Sequence, residues 1–295
     1  MIFSLFYDNI LHSYLRTCNK ERKHVMDTIQ QMAPSDITNE DWIYYLSTTP
    51  EQFIREMAES LKKDNCSFIK ESFQKLLYEY LSHQQSRYSS QYELIPTQRL
   101  FRARVYGESD VNDRLTFPEK YKPFQGYDKA NSGAAPPEKA LPGRINPKGI
   151  SYLYTASDPI TALLEIRAQP GETVSIATIY PKRELHFFNL TNGYSAIATE
   201  TSNKSKWGND FILELERLFQ SPYSVIGNYD LCQYISCLVK SWNLDGIMYR
   251  ASHRQETLTP YGINYTIFDP LKCDVVSSQL YYIIKTSIET DPPIE

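Results

Sequence analysis

Two textures of hydrophobic and polar positions divide this chain at about residue 95. Up to there, apolar side chains recur every three or four positions, the spacing that places them on one helix face. The pattern predicts a helix over Glu21–Met32 and a second over Asn39–Leu46, with Thr38 as its N-cap. Thr49-Pro50-Glu51 then carries the marks of a helix start. Thr can cap free N–H groups, Pro has no N–H to leave unpaired in the first turn, and Glu favours the positive helix end. That helix is expected to reach about Lys63. The next, from Ser67 to about His83, carries Phe68, Phe73, Leu76, Leu77, Tyr80 and Leu81 as one apolar stripe. The polar stretch from His83 to Gln91 reads as a linker.

After Leu100 the apolar residues fall into short runs rich in β-branched and aromatic side chains, as strands require. The runs are Leu100–Val105, Ile150–Thr155, Thr173–Ile179, Leu185–Asn189, Gly246–Tyr249 and Asn264–Phe268. Two helices are expected among them. One starts at Ser157-Asp158-Pro159 and runs through Ile166. The other, Tyr229 to Trp242, has Leu231, Tyr234, Ile235, Leu238, Val239 and Trp242 at helical spacing. The Pro/Gly-rich segment Phe117 to Pro147 is too long for an ordinary connection, and such loops are usually functional or disordered. The organisation expected is a small helical domain over 1–95 and an α+β domain over 96–295, ending in a frayed tail from Ile288.

Composition narrows the classes of function. Hydrophobic residues at 41% and charged ones at 22% are ordinary globular usage, enough to bury a core. Tyrosine departs from the ordinary, with 23 against 13 Phe, and a ring with a polar tip suits interfaces and polar clefts. A net charge of −4 gives no global basic face, so no nucleic acid is expected as a partner. Cys18, Cys66, Cys232, Cys237 and Cys273 stand at no C-x-x-C spacing, which suggests reduced thiols in a cytoplasmic protein and no structural zinc. The apolar start, Ile2 to Tyr7, is broken by Asp8, so neither a signal peptide nor a membrane span is expected. His24, His83 and His253 lack partners at metal-ligand spacing, and no metal is expected. A G-x-S-x-G elbow, a P-loop and a G-x-G-x-x-G turn are all absent.

Three polar residues then stand out against apolar surroundings. Arg102 lies in the strand-like Leu100-Phe101-Arg102-Ala103-Arg104, and Glu165 in the helical Ala162-Leu163-Leu164-Glu165-Ile166-Arg167. Ser252 ends the strand-like Asp245-Gly246-Ile247-Met248-Tyr249-Arg250-Ala251-Ser252. Each taken alone reads as a residue on a solvated face. Together with Ala135-Pro136-Pro137, the run from Gly143-Arg144-Ile145-Asn146-Pro147-Lys148-Gly149 to Tyr154, the helical Gln233, and Gly262-Ile263-Asn264-Tyr265, they form an ordered set of blocks. That set resembles the RES family, named for its Arg, Glu and Ser, along about 170 residues. The second block departs from the family in having Ile145 where Trp is common, and Arg250-Ala251 precede Ser252 where a polar or serine-rich pair is frequent.

The resemblance implies a fold like that of ADP-ribosyltransferases: two packed antiparallel sheets with a cleft for NAD⁺, here preceded by helices. Known members are bacterial toxins that destroy NAD⁺ or move its ADP-ribose, and many are blocked by a neighbouring Xre-type antitoxin. A homodimer is a further expectation. NAD⁺ would be substrate. Breaking its nicotinamide–ribose bond leaves an oxocarbenium-like sugar, which a carboxylate stabilises, and Glu165 is the candidate. Guanidinium groups match pyrophosphate oxygens in pairs, a role for Arg102 and Arg144, with Lys148 and Arg254 behind them. Gly143 and Gly149 flank the Arg144 turn, where the backbone could approach a ligand. Tyr154 would stack on nicotinamide, while Tyr152, on the opposite face of its strand, would pack in the core. Ser252 would orient a ribose hydroxyl or the carboxamide, and Asn264 would tie down the loop beside it. The reaction expected is glycohydrolysis or phosphorolysis of NAD⁺. The alternatives are ADP-ribosyl transfer to a protein or nucleic acid, or an idle RES scaffold that binds a partner through its tyrosine-rich surface.

Overall fold

A computed structural model of the chain describes residues 37–62, 67–82, 91–94, 96–107, 123–191, 203–221, 229–251 and 262–285. The helix expected over Glu21–Met32, most of the linker after His83, the tail from Ile288, and Ser252 and Arg254 lie outside the described residues. Three helices come first: α1 (Asn39–Leu46), α2 (Pro50–Ser60) and α3 (Ser67–Ser82). Thr38 caps α1 in a reciprocal box with Asp41, and Thr49 caps α2 by accepting from the Gln52 N–H, as the sequence predicts.

The strands are β1 (Gln91–Leu94), β2 (Leu100–Val105), β3 (Leu153–Ala156), β4 (Thr173–Pro181), β5 (Leu185–Asn189), β6 (Gly246–Arg250), β7 (Ile263–Ile267) and β8 (Cys273–Tyr282). Between them come α4 (Lys129–Ser132), α5 (Pro159–Glu165), α6 (Asn203–Gln220) and α7 (Asp230–Ser241). The strands form one mixed sheet in the order β1-β5-β6-β7-β3-β2-β4-β8, antiparallel except for the β5–β6 pair. The order has a weak seam. β2 and β3 share a single residue pair, Phe101 with Ala156, whereas β2 pairs with β4 along its whole length. The two packed sheets expected from the resemblance therefore appear as two halves joined at one point, which part beyond it.

Alternation along the strands sorts the core onto two faces. Phe188, Ile247, Tyr249 and Tyr152 go to one cluster, and Phe187, Met248 and Leu153 to another. The first cluster is shared with the helices ahead of the sheet. Tyr45, Phe53 and Phe73 of α1–α3 meet Trp207 and Phe211 of α6, and Trp207 stacks between Tyr45 (5.4 Å) and Phe211 (5.7 Å). Its indole N–H donates to the Thr48 carbonyl at 2.9 Å, satisfying the polar edge of a buried ring. A buried ion pair, Lys75 with Asp41 at 3.2 Å, ties α3 to α1. Residues on both sides of position 95 thus contribute to one core, and β1 pairs with β5. α4, α6, β1 and β8 were not among the elements expected from the sequence. No helix among the described residues is long and apolar enough to cross a membrane.

Candidate active site

The seam between the sheet halves opens a cleft. Phe101, Arg102 and Ala103 of β2 line one wall, and Tyr154, Thr155 and Ala156 of β3 the other; Ala162 and Glu165 of α5, Ile166 and Asn264 of β7 complete it. The cleft holds about 350 Å³ of empty space, its open mouth included. Arg102, Tyr154, Glu165 and Asn264 thus come together from four elements.

Each is held by a local device. Arg102 and Arg104 alternate onto the same side of β2 and donate to the Ser132 and Asn131 carbonyls at the end of α4. Orphan carbonyls at a helix end welcome cations, so α4 anchors both guanidiniums. Burial, and then repulsion from Arg104, push Arg102 down to about 10, which leaves it charged at neutral pH. No carboxylate pairs with it among the described residues.

Glu165 is the last residue of α5, whose start is fixed by Asp158 accepting from the Thr161 N–H and by Pro159 in the first turn. Glu165 is exposed, on a helix that is otherwise half-buried: Thr161 and Ala162 are buried and Leu163 and Leu164 partly so. It is still oriented: the buried Asn264 amide donates to its Oε1 at 2.8 Å. Asn264 was expected to tie down the loop beside it, which lies outside the described residues; within them it holds the carboxylate. A glutamate at a helix C-terminus faces the negative helix end, so nothing in the helix itself favours it there. Arg167, two residues on, takes the left-handed conformation (φ 52°) that stops the helix after Glu165.

Tyr154 lines the cleft with its ring while its hydroxyl is clamped from behind. The hydroxyl donates to Asn146 Oδ1 at 2.7 Å and accepts from the Ile145 N–H at 3.1 Å. Burial pushes this phenol well above its ordinary range, against the lowering pull of those backbone groups and of Arg144. It therefore remains protonated and can serve as a surface but not as a base. Tyr152 lies in the core against Phe268. It does so without the opposite orientation expected of it: residues two apart on a strand share a face, Tyr152 stands just before β3, and Tyr154 packs against the same core cluster.

Arg144 does not line the cleft. It lies behind Tyr154, its guanidinium 5.8 Å from the ring centres of both Tyr229 and Tyr249. Its Nη1 is buried without a hydrogen-bond partner among the described residues, a cost that native structures rarely carry unless a ligand or water meets it. Gly143 was expected to admit a ligand. The structure gives another reason for it: a Cβ there would collide with the Asn146 side chain and stand 2.9 Å from the Tyr154 hydroxyl. Gly149 is required differently, by a φ of 79°. Ile145, in place of the family's Trp, is completely buried in the core. Lys148 is exposed.

Three residues of the site region were quoted in the motif blocks without a role. Tyr249 is buried within electrostatic reach of Arg144, Glu165 and Tyr154. Asn146 and Gln233 hold the Arg144 turn. Their signal was their place in the same blocks, and their contacts are long-range. Among the described residues no group of His, Cys, Asp or Glu is placed to hold a metal ion, and Cys232, Cys237 and Cys273 are free thiols.

Comparison with known proteins places this arrangement. A chain of the crystal structure of the M. tuberculosis MbcT–MbcA toxin–antitoxin complex matches at 11% identity and a TM-score of 0.38, over 70% of this chain and 93% of that one. No curated protein matches the chain. The family model described as RES domain matches residues 99–284, more than half of the sequence and every strand of the sheet but β1. The chain is an α+β protein with helices ahead of its sheet, and it belongs to the RES family.

Proposed function

We propose that this RES protein consumes NAD⁺ by cleaving the bond between nicotinamide and ribose. The observation that carries the reading is the meeting of Arg102, Tyr154, Glu165 and Asn264 on one cleft, with the carboxylate oriented by a buried amide. In the step proposed, the C1′–N1 bond of NAD⁺ breaks and its electron pair leaves with neutral nicotinamide. Water then bonds to C1′ through its oxygen and releases a proton to solvent, or an anionic phosphate oxygen, which has no proton to lose, bonds there in its place. The developing positive charge on the ribose is stabilised by Glu165, held in place by Asn264. Arg102, charged and without a carboxylate partner among the described residues, suits the pyrophosphate. Arg144 suits an anion too, because its Nη1 has no acceptor among the described residues. Tyr154 offers a flat face for the nicotinamide ring. Ser252 keeps the role of orienting a ribose hydroxyl or the carboxamide.

The same reading makes the protein a toxin of the RES type, restrained by a cognate Xre-type antitoxin that covers the cleft. The test is to incubate the purified protein with NAD⁺, with and without phosphate, and to separate the products. Free nicotinamide with ADP-ribose marks hydrolysis. ADP-ribose-1-phosphate formed only with phosphate marks phosphorolysis. Label retained on a macromolecule marks transfer. Intact NAD⁺ with no labelled macromolecule overturns the reading.

A further inference from the structure

Behind the cleft, the four residues Gly143 to Asn146 are tied down more completely than an ordinary turn. Gln233, on α7, donates through its Nε2 to the Gly143 carbonyl at 2.8 Å and to the Asn146 carbonyl at 3.1 Å. The next turn of the same helix adds Ser236, whose buried hydroxyl donates to the Ile145 carbonyl at 2.8 Å. The Gly143 N–H closes the turn on the Asn146 carbonyl at 2.9 Å. The Asn146 side chain, 4% exposed, donates to the carbonyls of Leu141, Pro147 and Ile150 at 2.9–3.1 Å. Its Oδ1 takes the Tyr154 hydroxyl, which in turn takes the Ile145 N–H. The carbonyls of Gly143, Ile145 and Asn146 are therefore all engaged by donors. The Arg144 side chain, in the middle, is the part left unsatisfied, with Nη1 buried and no acceptor among the described residues.

A packed network of this kind has one arrangement, because each buried donor or acceptor released would cost the full desolvation of that group. It fixes two things at once: the backbone from which Arg144 projects, and the hydroxyl end of the Tyr154 ring. We propose that Gln233 and Asn146 are positioning residues, which lock the Arg144 turn to Tyr154 so that the unpaired guanidinium edge meets an anionic ligand. The proposal deepens the reading of the site as one that takes a pyrophosphate-bearing substrate, and it rests on that reading for the identity of the ligand.

The test is a double-mutant cycle between Gln233→Met and Arg144→Ala, read on two probes. Inorganic pyrophosphate affinity, by calorimetry, reports the anion site whether or not NAD⁺ is the substrate. KM and kcat for NAD⁺ report the reaction. Methionine nearly preserves the volume of Gln233 and removes both donors. Arg144→Ala is expected to weaken pyrophosphate binding roughly tenfold or more, the loss of a hydrogen bond to a charged group. Gln233→Met should weaken it by roughly five- to tenfold in the wild-type background, and change nothing further in the Arg144→Ala background. KM should follow the same pattern, with kcat less affected. A merely structural Gln233 would lower the melting temperature and weaken binding equally in both backgrounds, and that additivity overturns the proposal. So does pyrophosphate binding that is indifferent to Arg144→Ala. Where Gln233→Met does not fold, Ser236→Ala, which removes the hydroxyl shared between the Ile145 and Gln233 carbonyls, runs the same cycle. If the wild type leaves NAD⁺ intact while the pyrophosphate cycle shows coupling, the NAD⁺ reading fails and the positioning role stands. If NAD⁺ is consumed and the cycle is additive, the reverse holds.

Discussion

Glu165 ends α5 and Asp245 immediately precedes β6, yet among the described residues cations surround the aspartate and none pairs with the glutamate. Asp245 is 4% exposed and accepts from Lys272 Nζ at 2.6 Å, Arg183 Nη2 at 2.9 Å and the His186 N–H at 2.9 Å. Those contacts pin β5, β6 and the start of β8 to one another. Glu165 has no ion pair among the described residues and one amide donor. Arg102 and Arg144 also lack a carboxylate there. A buried charge is tolerable when its partners are in the protein. A site that must receive a charged substrate keeps its own charges uncompensated, so that the ligand supplies what is missing. The family block beginning Asp245-Gly246 therefore joins two kinds of residue: Asp245 holds the fold, while the block's end leads to Ser252.

The largest test of this contrast exchanges each carboxylate for its amide. Glu165→Gln should lower the rate of NAD⁺ cleavage by about 100- to 1,000-fold, the usual cost of losing one well-placed electrostatic stabiliser. NAD⁺ affinity and melting temperature should change little, because the lost charge matters chiefly when positive charge builds on the ribose. Single-turnover rates and calorimetry read both. Retention of more than about a tenth of the rate would return Glu165 to an ordinary solvated helix face. Asp245→Asn should do the opposite. It removes the charge from a buried, fully paired site, and because Lys272 and Arg183 keep some access to water the cost should be about 2 kcal/mol of stability. Activity per folded molecule should stay near that of the wild type.

The second test uses pH. Burial alone would raise the Asp245 carboxyl, but the Lys272 hydrogen bond, the His186 N–H and the two cations outweigh it and hold the carboxyl below its ordinary range. A lowered carboxyl contributes stability above its unfolded value, near 4, and loses it as pH falls through the folded value. Urea midpoints should therefore drop below about pH 4 in the wild type, and the drop should be smaller in Asp245→Asn. A third test is Arg102→Ala, which should weaken NAD⁺ binding roughly tenfold along with the rate, since a pyrophosphate contact is already made in the ground state. If only kcat fell, Arg102 would be acting on the transition state instead.

The sequence showed the elements wherever local chemistry announces them. Thr38, Thr49 and Asp158 each mark a helix start by a side chain that caps it, and β2 and β5 stand out as bounded apolar runs. It was less legible where local signals were mixed. α6 carries a buried stripe of Trp207, Phe211, Leu215 and Phe219, but opens on Asn203-Lys204-Ser205-Lys206 and contains Gly208, which reads as loop. β8 is an edge strand whose side chains alternate imperfectly between burial and exposure. The site residues could be chosen from the family blocks, and four of them do share the cleft. What no local pattern could give is the seam at Phe101 and Ala156, because register between distant strands is set by the packed core. The Asn264–Glu165 hydrogen bond and the Gln233 clamp, which span 99 and 90 residues, are hidden for the same reason.

The smallest expected effect compares the backbone beside the two carboxylates. Arg167 follows Glu165 by two residues, and Asn243 precedes Asp245 by two; both end a helix with positive φ, 52° and 62°. Asparagine visits this region readily, whereas a long side chain with an ordinary Cβ is strained there by about 1–2 kcal/mol. Glycine removes the strain at a cost of about 0.5–1 kcal/mol of extra freedom in the unfolded chain. Arg167→Gly should therefore stabilise the protein by up to about 1 kcal/mol, a rise of about 2–4 °C in melting temperature. Asn243→Gly should be neutral or slightly destabilising. The informative readout is NAD⁺ turnover in Arg167→Gly. The strained residue ends α5 immediately after Glu165, and glycine in its place widens the backbone choices of that turn. If the strain serves to hold Glu165 under Asn264, turnover falls several-fold while stability rises, the trade expected where strain sits at a functional site. If turnover is unchanged, Arg167 only ends the helix, and the Asn264 amide alone orients the carboxylate.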